Sequence, residues 1–520
     1  MPSLSRRFPI ALLVVAALVI GACGAPPPEP ATLVVHNGKI VTVEDGQPEV
    51  AALAVRGDRI VALGTDEGIA PYIGQGTEVV DLKGALAIPG IIESHGHFQG
   101  TGQAKLGLDL MSVANWDEVV SMVDAAVKQA KPGEWIIGRG WHQEKWDTVP
   151  QPNVEGFPTH ASIDRVSPDN PVLLTHASGH ASFANAKAMA LAGVTRATKN
   201  PPGGEILKDA RGEPIGIFRE SASGLIGRAR AADRAKMTGE ELASEARKIV
   251  ELADRECLEN GVTTFHDAGV GFDTVDLYKA IAGEGKLGVR LYVMVRGTPA
   301  TLAENLDKYR TIGFADNHVT VRAIKVVFDG ALGSRGAWFL EPYSDLPGHT
   351  GLNTAPVDEL RETAKLGAAH GYQVCTHCIG DRANREMLDV YEETFKANPD
   401  LKDLRWRDEH TQHLNPADIP RFGKLGVIAA MQGIHCTSDA PYVLARLGEQ
   451  RAEEGAYVWQ KLMQTGAVIS NGTDTPVEAI NPIASYYATV SRRLKDGTVF
   501  YPDQRMSRME ALKSYTINGA

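Results

Sequence analysis

Two histidines one residue apart, His95 and His97, stand at the end of an apolar, β-branched run in this 520-residue chain. Side chains at i and i+2 of a strand share a face, so both imidazoles can reach one metal ion. His377, His410 and Asp474 each close a further apolar run, and Lys325 lies inside another, within Ala323-Ile324-Lys325-Val326-Val327-Phe328. Neutral imidazole and carboxylate suit a zinc ion that keeps positions open for water and substrate. One H-x-H is a weak signal. Its company of two further His, an Asp and a buried Lys at separate strand ends makes chance core histidines a poor explanation.

The elements that must hold these residues follow a strand–helix alternation. Strand-like runs fall at 85–94, 261–266, 289–295, 319–328, 372–377, 404–410, 427–432 and 467–474, with amphipathic helices such as 239–260 and 357–371 between them. The alternation predicts an α/β fold, a (β/α)8 TIM-like barrel over 85–520, whose catalytic groups sit at the C-terminal strand ends. The stretch between the first two strands is far longer than an ordinary loop, so 99–260 is expected to form an insertion or cap. Ahead of the barrel, 31–43, 50–63 and 77–82 are β-rich and are broken by Asn37-Gly38, Asp45-Gly46 and Gly57-Asp58. Those breaks read as hairpin turns, so 31–84 is expected to be a small antiparallel unit, part of a β-sandwich.

Composition limits the function classes. With 53 Lys+Arg against 64 Asp+Glu, the charge of −11 argues against sequence-independent nucleic-acid binding. A hydrophobic share of 43% excludes a disordered chain, and five Cys are too few for a disulfide scaffold. Arg6-Arg7 followed by the apolar run Ile10 to Ile20 has the length of a signal-peptide core and is too short to span a bilayer. Ile20-Gly21-Ala22-Cys23 resembles a bacterial lipobox. Residues 1–22 are therefore expected to be a lipoprotein signal peptide, Cys23 the lipidated residue, and the Pro-rich 23–30 a tether. The expected location is membrane-anchored and facing the periplasm, with the outer membrane as one site for the anchor. An exported solute-binding lipoprotein is the alternative class that these features leave open.

The motifs themselves resemble those of the amidohydrolase superfamily. Pro89-Gly90-Ile91-Ile92-Glu93-Ser94-His95-Gly96-His97 matches its P-G-x-x-[DE]-x-H-x-H opening. Gly138-Arg139-Gly140-Trp141, Gly179-His180, Pro202-Gly203-Gly204-Glu205 and Gly261-Val262-Thr263-Thr264 resemble its amidohydrolase 3, YtcJ-like branch, which includes N-substituted formamide deformylases. So do Lys325 to Arg335, His377 to Ala383, Glu409-His410 and Gly472 to Val477.

The resemblance implies a metal-dependent hydrolase of non-peptide C–N bonds in a small amide-type substrate, such as N-acyl or N-formyl compounds. It implies one or two zinc ions, His95 and His97 on one and His377 and His410 on the other. Lys325 is its candidate bridge, as a carbamate; the other reading is a plain Lys paired with a carboxylate such as Asp329. Asp474 is expected to bind metal and to carry the proton from water to the leaving nitrogen. A catalytically inactive member of the fold is the remaining alternative.

Other residues have two readings each. His180 is a substrate contact or a loop histidine. His266, taken to end the second strand at the pocket rim, is a substrate contact or a supporting hydrogen-bond partner. Arg335 holds a substrate carboxylate or carbonyl, or makes a surface salt bridge. Cys375 and Cys378 face opposite ways in a strand and are expected to be small buried hydrophobes rather than a redox pair. In the family, residues after the eighth strand return to complete the small β unit. The helix-like 510–520 has no such strands after it, so the C-terminal complement of the sandwich is expected to be missing.

Overall fold

The structure is a computed structural model and describes residues 28–520. The expected signal peptide, residues 1–22, and the expected lipidation residue Cys23 lie outside the described residues. The chain divides into two units, the first ending at Pro89 and the second running from Gly90 to Ala520.

The first unit holds two small sheets. One has the order Arg59–Gly64, Ala52–Arg56, Leu33–His36, Glu78–Asp81; the other has Glu49–Val50, Lys39–Val41, Leu86–Ala87. Gly57-Asp58 does close a hairpin, between Ala52–Arg56 and Arg59–Gly64. The unit is nevertheless not purely antiparallel, because Leu33–His36 runs parallel to Glu78–Asp81 and Lys39–Val41 parallel to Leu86–Ala87. Asn37-Gly38 is not a hairpin turn either: it carries the chain from one sheet to the other. A Cβ on Gly38 would stand 2.3 Å from the Leu82 side chain, so the crossing needs glycine there. The expected run 85–94 is split. Leu86–Ala87 belongs to this unit, and Pro89, which has no N–H for a ladder, breaks it from the barrel strand.

The second unit contains the expected barrel. Its strands are β1 (Ile91–Gly96), β2 (Val262–Val270), β3 (Arg290–Val295), β4 (Val319–Val327), β5 (Gln373–Cys378), β6 (Arg407–His410), β7 (Ile428–Gln432) and β8 (Ile469–Gly472). They pair in parallel in sequence order. Just past β8 the ring is joined to β1 by Asp474 N donating to His95 O at 2.8 Å and His97 N to Thr475 O at 2.7 Å. The Glu93 carboxylate strengthens the seam, accepting from Thr473 N at 2.7 Å and Thr473 Oγ1 at 2.8 Å. Gly472 leaves it the room: a Cβ there would meet Glu93 Oε1 at 2.2 Å.

Apolar residues fill the space between strands and helices, with Val250, Phe265, Tyr278, Val293 and Leu306 in one cluster and Val374, Met387, Tyr391, Trp406 and Val443 in another. The helices have ordinary boundaries. Gly239–Glu259 starts on a capping box of Thr238 with Glu241, and Val357–His370 stops at Gly371, whose φ of 66° favours glycine. All four cysteines among the described residues are buried and free, Cys375 and Cys378 packing into different clusters.

The long insertion folds around its own sheet. Its order is Gly204–Lys208, Pro214–Glu220, Ala181–Ala184, Val172–His176, Ile136–Trp141, Leu108–Asp109, over a core of Trp116, Trp141, Phe157, Leu174, Phe183 and Ile217. The loop between Val172–His176 and Ala181–Ala184 carries His180, and Ile136–Trp141 carries Arg139.

Candidate active site at the C-terminal barrel ends

The imidazoles and carboxylate singled out from sequence do converge. Donor atoms of His95, His410 and Asp474 all lie within 4.8 Å of one another. Asp474 Oδ1 is 3.2 Å from His97 Nε2 and 3.6 Å from His95 Nε2, and Oδ2 is 4.0 Å from His410 Nδ1. His377 stacks edge-on against His410, with ring centroids 4.4 Å apart. Lys325 Nζ lies 3.5 Å from His95 Nε2. The alternative reading, Lys325 paired with Asp329, is not seen among the described residues. Asp329 instead accepts from the backbone N–H groups of Trp338, Ile379 and Gly380 at 2.8–2.9 Å.

Local backbone explains the convergence. His95 is inside β1, while His97 falls just beyond it, at the start of the helix Phe98–Ala104, and is correspondingly more open, with its side chain 36% exposed. His410 (φ 84°) and Asp474 (φ 58°) occupy the left-handed region, where residues other than glycine are held at a cost of order 1–3 kcal/mol. Such conformations gather at functional sites, and here they turn the chain sharply just where two side chains must meet.

The charge states suit ligands. Burial holds His95 down to about 4, with Lys325 adding to the effect, and burial holds His377 and His410 well below the usual imidazole value. Neutral rings with free lone pairs result. Burial also lowers Lys325 to about 8, against the pull of Glu409. His377 Nε2 and Asp474 Oδ1 are buried without a hydrogen-bond partner. Both atoms are thus open to a ligand. The donor set therefore fits a divalent ion.

Behind the ligands lies support that sequence reasoning passed over. His95 Nδ1 engages Glu409 Oε2, and Arg407 grips the same carboxylate, Nε to Oε1 at 2.6 Å and Nη2 to Oε2 at 2.8 Å. Although burial opposes its ionisation, Arg407 and His95 keep Glu409 well below the usual carboxylate range. His410 Nδ1 meets Gln432 Oε1 at 2.8 Å. Arg139 donates from Nε to Pro476 O at 3.1 Å and from Nη2 to Ala177 O at 2.9 Å. Glu409 and Arg139 were within reach of the sequence, since both sit in family-like motifs; Arg407 and Gln432 carried no signal.

Of the three expected substrate contacts, His180 alone reaches the site. Its ring lies 4.9 Å from that of His377, and its Nδ1 is 2.7 Å from Glu220 Oε2. Two corrections are needed. β2 runs on to Val270, so His266 is mid-strand and not at the rim; its Nδ1 meets Arg407 at 2.9 Å, and it lines a cavity with Arg290 and Thr320 instead. Arg335 does not line the site, because its Nη2 is held by Asp345 at 3.1 Å.

The cavity over the ligands has two lobes that share His180, His377, His410 and Asp474. The wide lobe, about 480 Å³, is lined by His97, Arg139, Glu220, Arg296 and Lys325. The narrow lobe, about 40 Å³, is lined by His142, Gly333, Gln412, His435 and Tyr442.

A parallel barrel with this ligand cluster at its C-terminal mouth defines a hydrolase-type metal centre, and comparison with known proteins agrees. The sequence profile described as "Amidohydrolase family" (Amidohydro_3) matches residues 78–520. The chain belongs to that family. It is 34% identical over 502 residues to Protein LONG AFTER FAR-RED 3 of Arabidopsis thaliana, covering 94% of this chain and 83% of that one. It is 26% identical over 495 residues to the N-substituted formamide deformylase of Arthrobacter pascens, covering 94% and 89%. Its fold is similar to the crystal structure of an uncharacterized metal-dependent hydrolase from Pyrococcus horikoshii OT3, with a TM-score of 0.72, 25% identity and coverage of 94% and 92%.

Proposed function

We propose that this chain is a zinc-dependent amidohydrolase that cleaves a non-peptide C–N bond, of the N-formyl or small N-acyl kind, in a small molecule. The observation that carries the reading is the convergence of buried His95, His410 and Asp474, whose donor atoms lie within 4.8 Å of one another, with His97 against Asp474 and His377 against His410. His95, His97, His377, His410 and Asp474 would hold one or two ions, with Lys325 as a bridging ligand if CO2 converts it to a carbamate. Such an ion polarises a scissile carbonyl and acidifies water towards neutral pKa.

The chain's own groups do the rest. Asp474 takes the proton of the attacking water at its carboxylate and returns it to the leaving nitrogen, a transfer its place between His97 and His410 allows. His180, steadied by Glu220, faces the carbonyl region beside His377. The narrow lobe has room for a formyl- or acetyl-sized acyl part and the wide lobe for the amine part. The relative named as a formamide deformylase supports that size preference. A solute-binding role finds no support in a family of hydrolases.

We also propose, from the lipobox-like Ile20 to Cys23, that the protein works anchored to a membrane on the periplasmic side. Metal analysis of purified protein with turnover of a panel of N-formyl and N-acetyl amines tests the activity. Protein that is metal-free and fully active, or zinc-loaded and inert on every amide, overturns it.

A further inference from the structure

Arg296 follows β3 directly and faces the wide lobe together with Lys325, His97 and Asp474. Its backbone N donates to Val270 O at 2.8 Å, and its side chain lies across Gly269. A Cβ on Gly269, whose φ is 115°, would stand 3.0 Å from Arg296 Nε, Arg296 Nη2 and Lys325 Cγ alike. Glycine at that position is what lets the guanidinium lie beside the metal-ligand cluster.

Among the described residues this guanidinium forms no ion pair. Among the described residues, Asp267 is the acid whose charge acts on it, and the two Asp267 oxygens are already taken by Phe98 N at 3.1 Å and Tyr278 Oη at 2.7 Å. Arg139, facing the same lobe, is held by two carbonyls and pairs with no carboxylate. Of the acids lining the lobe, Glu220 holds His180 through Oε2 and Asp474 faces the ligand cluster; among the described residues neither forms an ion pair with Arg296 or Arg139. Arg296 is exposed at the mouth of the lobe, so its guanidinium is open to an incoming ligand, and a guanidinium matches a carboxylate in two parallel hydrogen bonds.

We infer that Arg296 binds an anionic group of the substrate, so that the substrates are amides with a carboxylate on the amine side. The inference rests on the amidohydrolase reading, because it places the amine part in the wide lobe. It adds a charge requirement that neither the fold nor the ligand cluster imposes.

The test has two arms, both on zinc-loaded protein. In the first, formamidoalkanoates of graded length are compared with formamidoalkanes of equal length. Wild type should favour the carboxylates, and Arg296→Met should lose about 10- to 100-fold in kcat/KM on them, mostly through KM, while the neutral amides change little. Arg296→Lys should fall between. In the second, calorimetry measures binding of an alkylsulfonate, an anion that ligates metals poorly; it should bind wild type and bind Arg296→Met at least about 10-fold more weakly. Equal turnover of both series, or sulfonate binding indifferent to Arg296, overturns the inference. If no amide is turned over yet sulfonate binding depends on Arg296, the anion site stands and the amidohydrolase reading fails. Unchanged thermal unfolding of the variants shows that loss of fold is not the cause.

Discussion

His95 Nδ1 is held by Glu409 Oε2, and Glu409 is itself gripped by Arg407 through both oxygens. The carboxylate fixes which ring nitrogen carries the proton, leaving His95 Nε2 free to face Asp474 and Lys325. Partners of this kind orient a metal-binding imidazole and raise its basicity.

Glu409→Gln should therefore weaken zinc binding by about 10- to 100-fold, measured by competition with a chelator. It should also lower stability by about 3 kcal/mol in urea unfolding of the metal-free protein, because Arg407 is left buried without its charge partner. Unaltered zinc affinity would show that Glu409 does not position His95.

Asp474→Asn should keep the fold. Its φ of 58° is a conformation that Asn accepts readily, and Asn retains the shape of the side chain. Turnover should fall by about 10²- to 10⁴-fold through loss of the proton acceptor. Full activity in a well-folded variant would remove Asp474 from the mechanism.

Lys325→Ala should bind fewer zinc ions per chain, counted by elemental analysis. Partial recovery of metal and activity on adding a short carboxylic acid is the result expected of a bridging carbamate. A variant as active as wild type would end that role.

His413 is buried between Phe339 and Tyr457, with both ring nitrogens lacking partners, and burial pushes it down to about 3. The folded chain refuses a proton that the unfolded chain accepts near pH 6.5. The contribution to stability is thus present above that pH and is lost as pH falls towards about 3, by up to ~1.4 kcal/mol per unit. His413→Leu should flatten the fall of urea-unfolding stability between about pH 6.5 and 5. An unchanged slope would mean that the ring is protonated in the folded chain.

Cys23→Ala should shift the protein from the membrane to the soluble fraction of a producing cell, since stable anchoring needs the acyl chains. Exported wild-type protein that is already soluble would contradict the lipid anchor.

The barrel and its ligands were legible in the sequence because their signals are local. A short apolar run followed by a ligand-type residue marks a strand end wherever it occurs, and eight such runs in alternation with helices admit few architectures. His95, His97, His377, His410 and Asp474 were singled out that way, whereas Lys325 lies inside its strand and took its role from the family resemblance. What depended on distant parts of the chain was not legible. The end of β2 at Val270 rather than His266 was set by pairing with β3, which no local pattern announces. Asn37-Gly38 looked like a hairpin turn, and only packing showed that its strands part into two sheets. The grip of Arg407 on Glu409, the approach of Gln432 to His410 across β6 and β7, and the open guanidinium of Arg296 over Gly269 exist because the ring of strands brings separate segments within hydrogen-bond distance. Residue types and their spacing determined which chemistry the chain carries. Closure of the barrel decided which nitrogen of His95 and of His410 is held by a neighbour, Glu409 and Gln432, because those partners come from other strands.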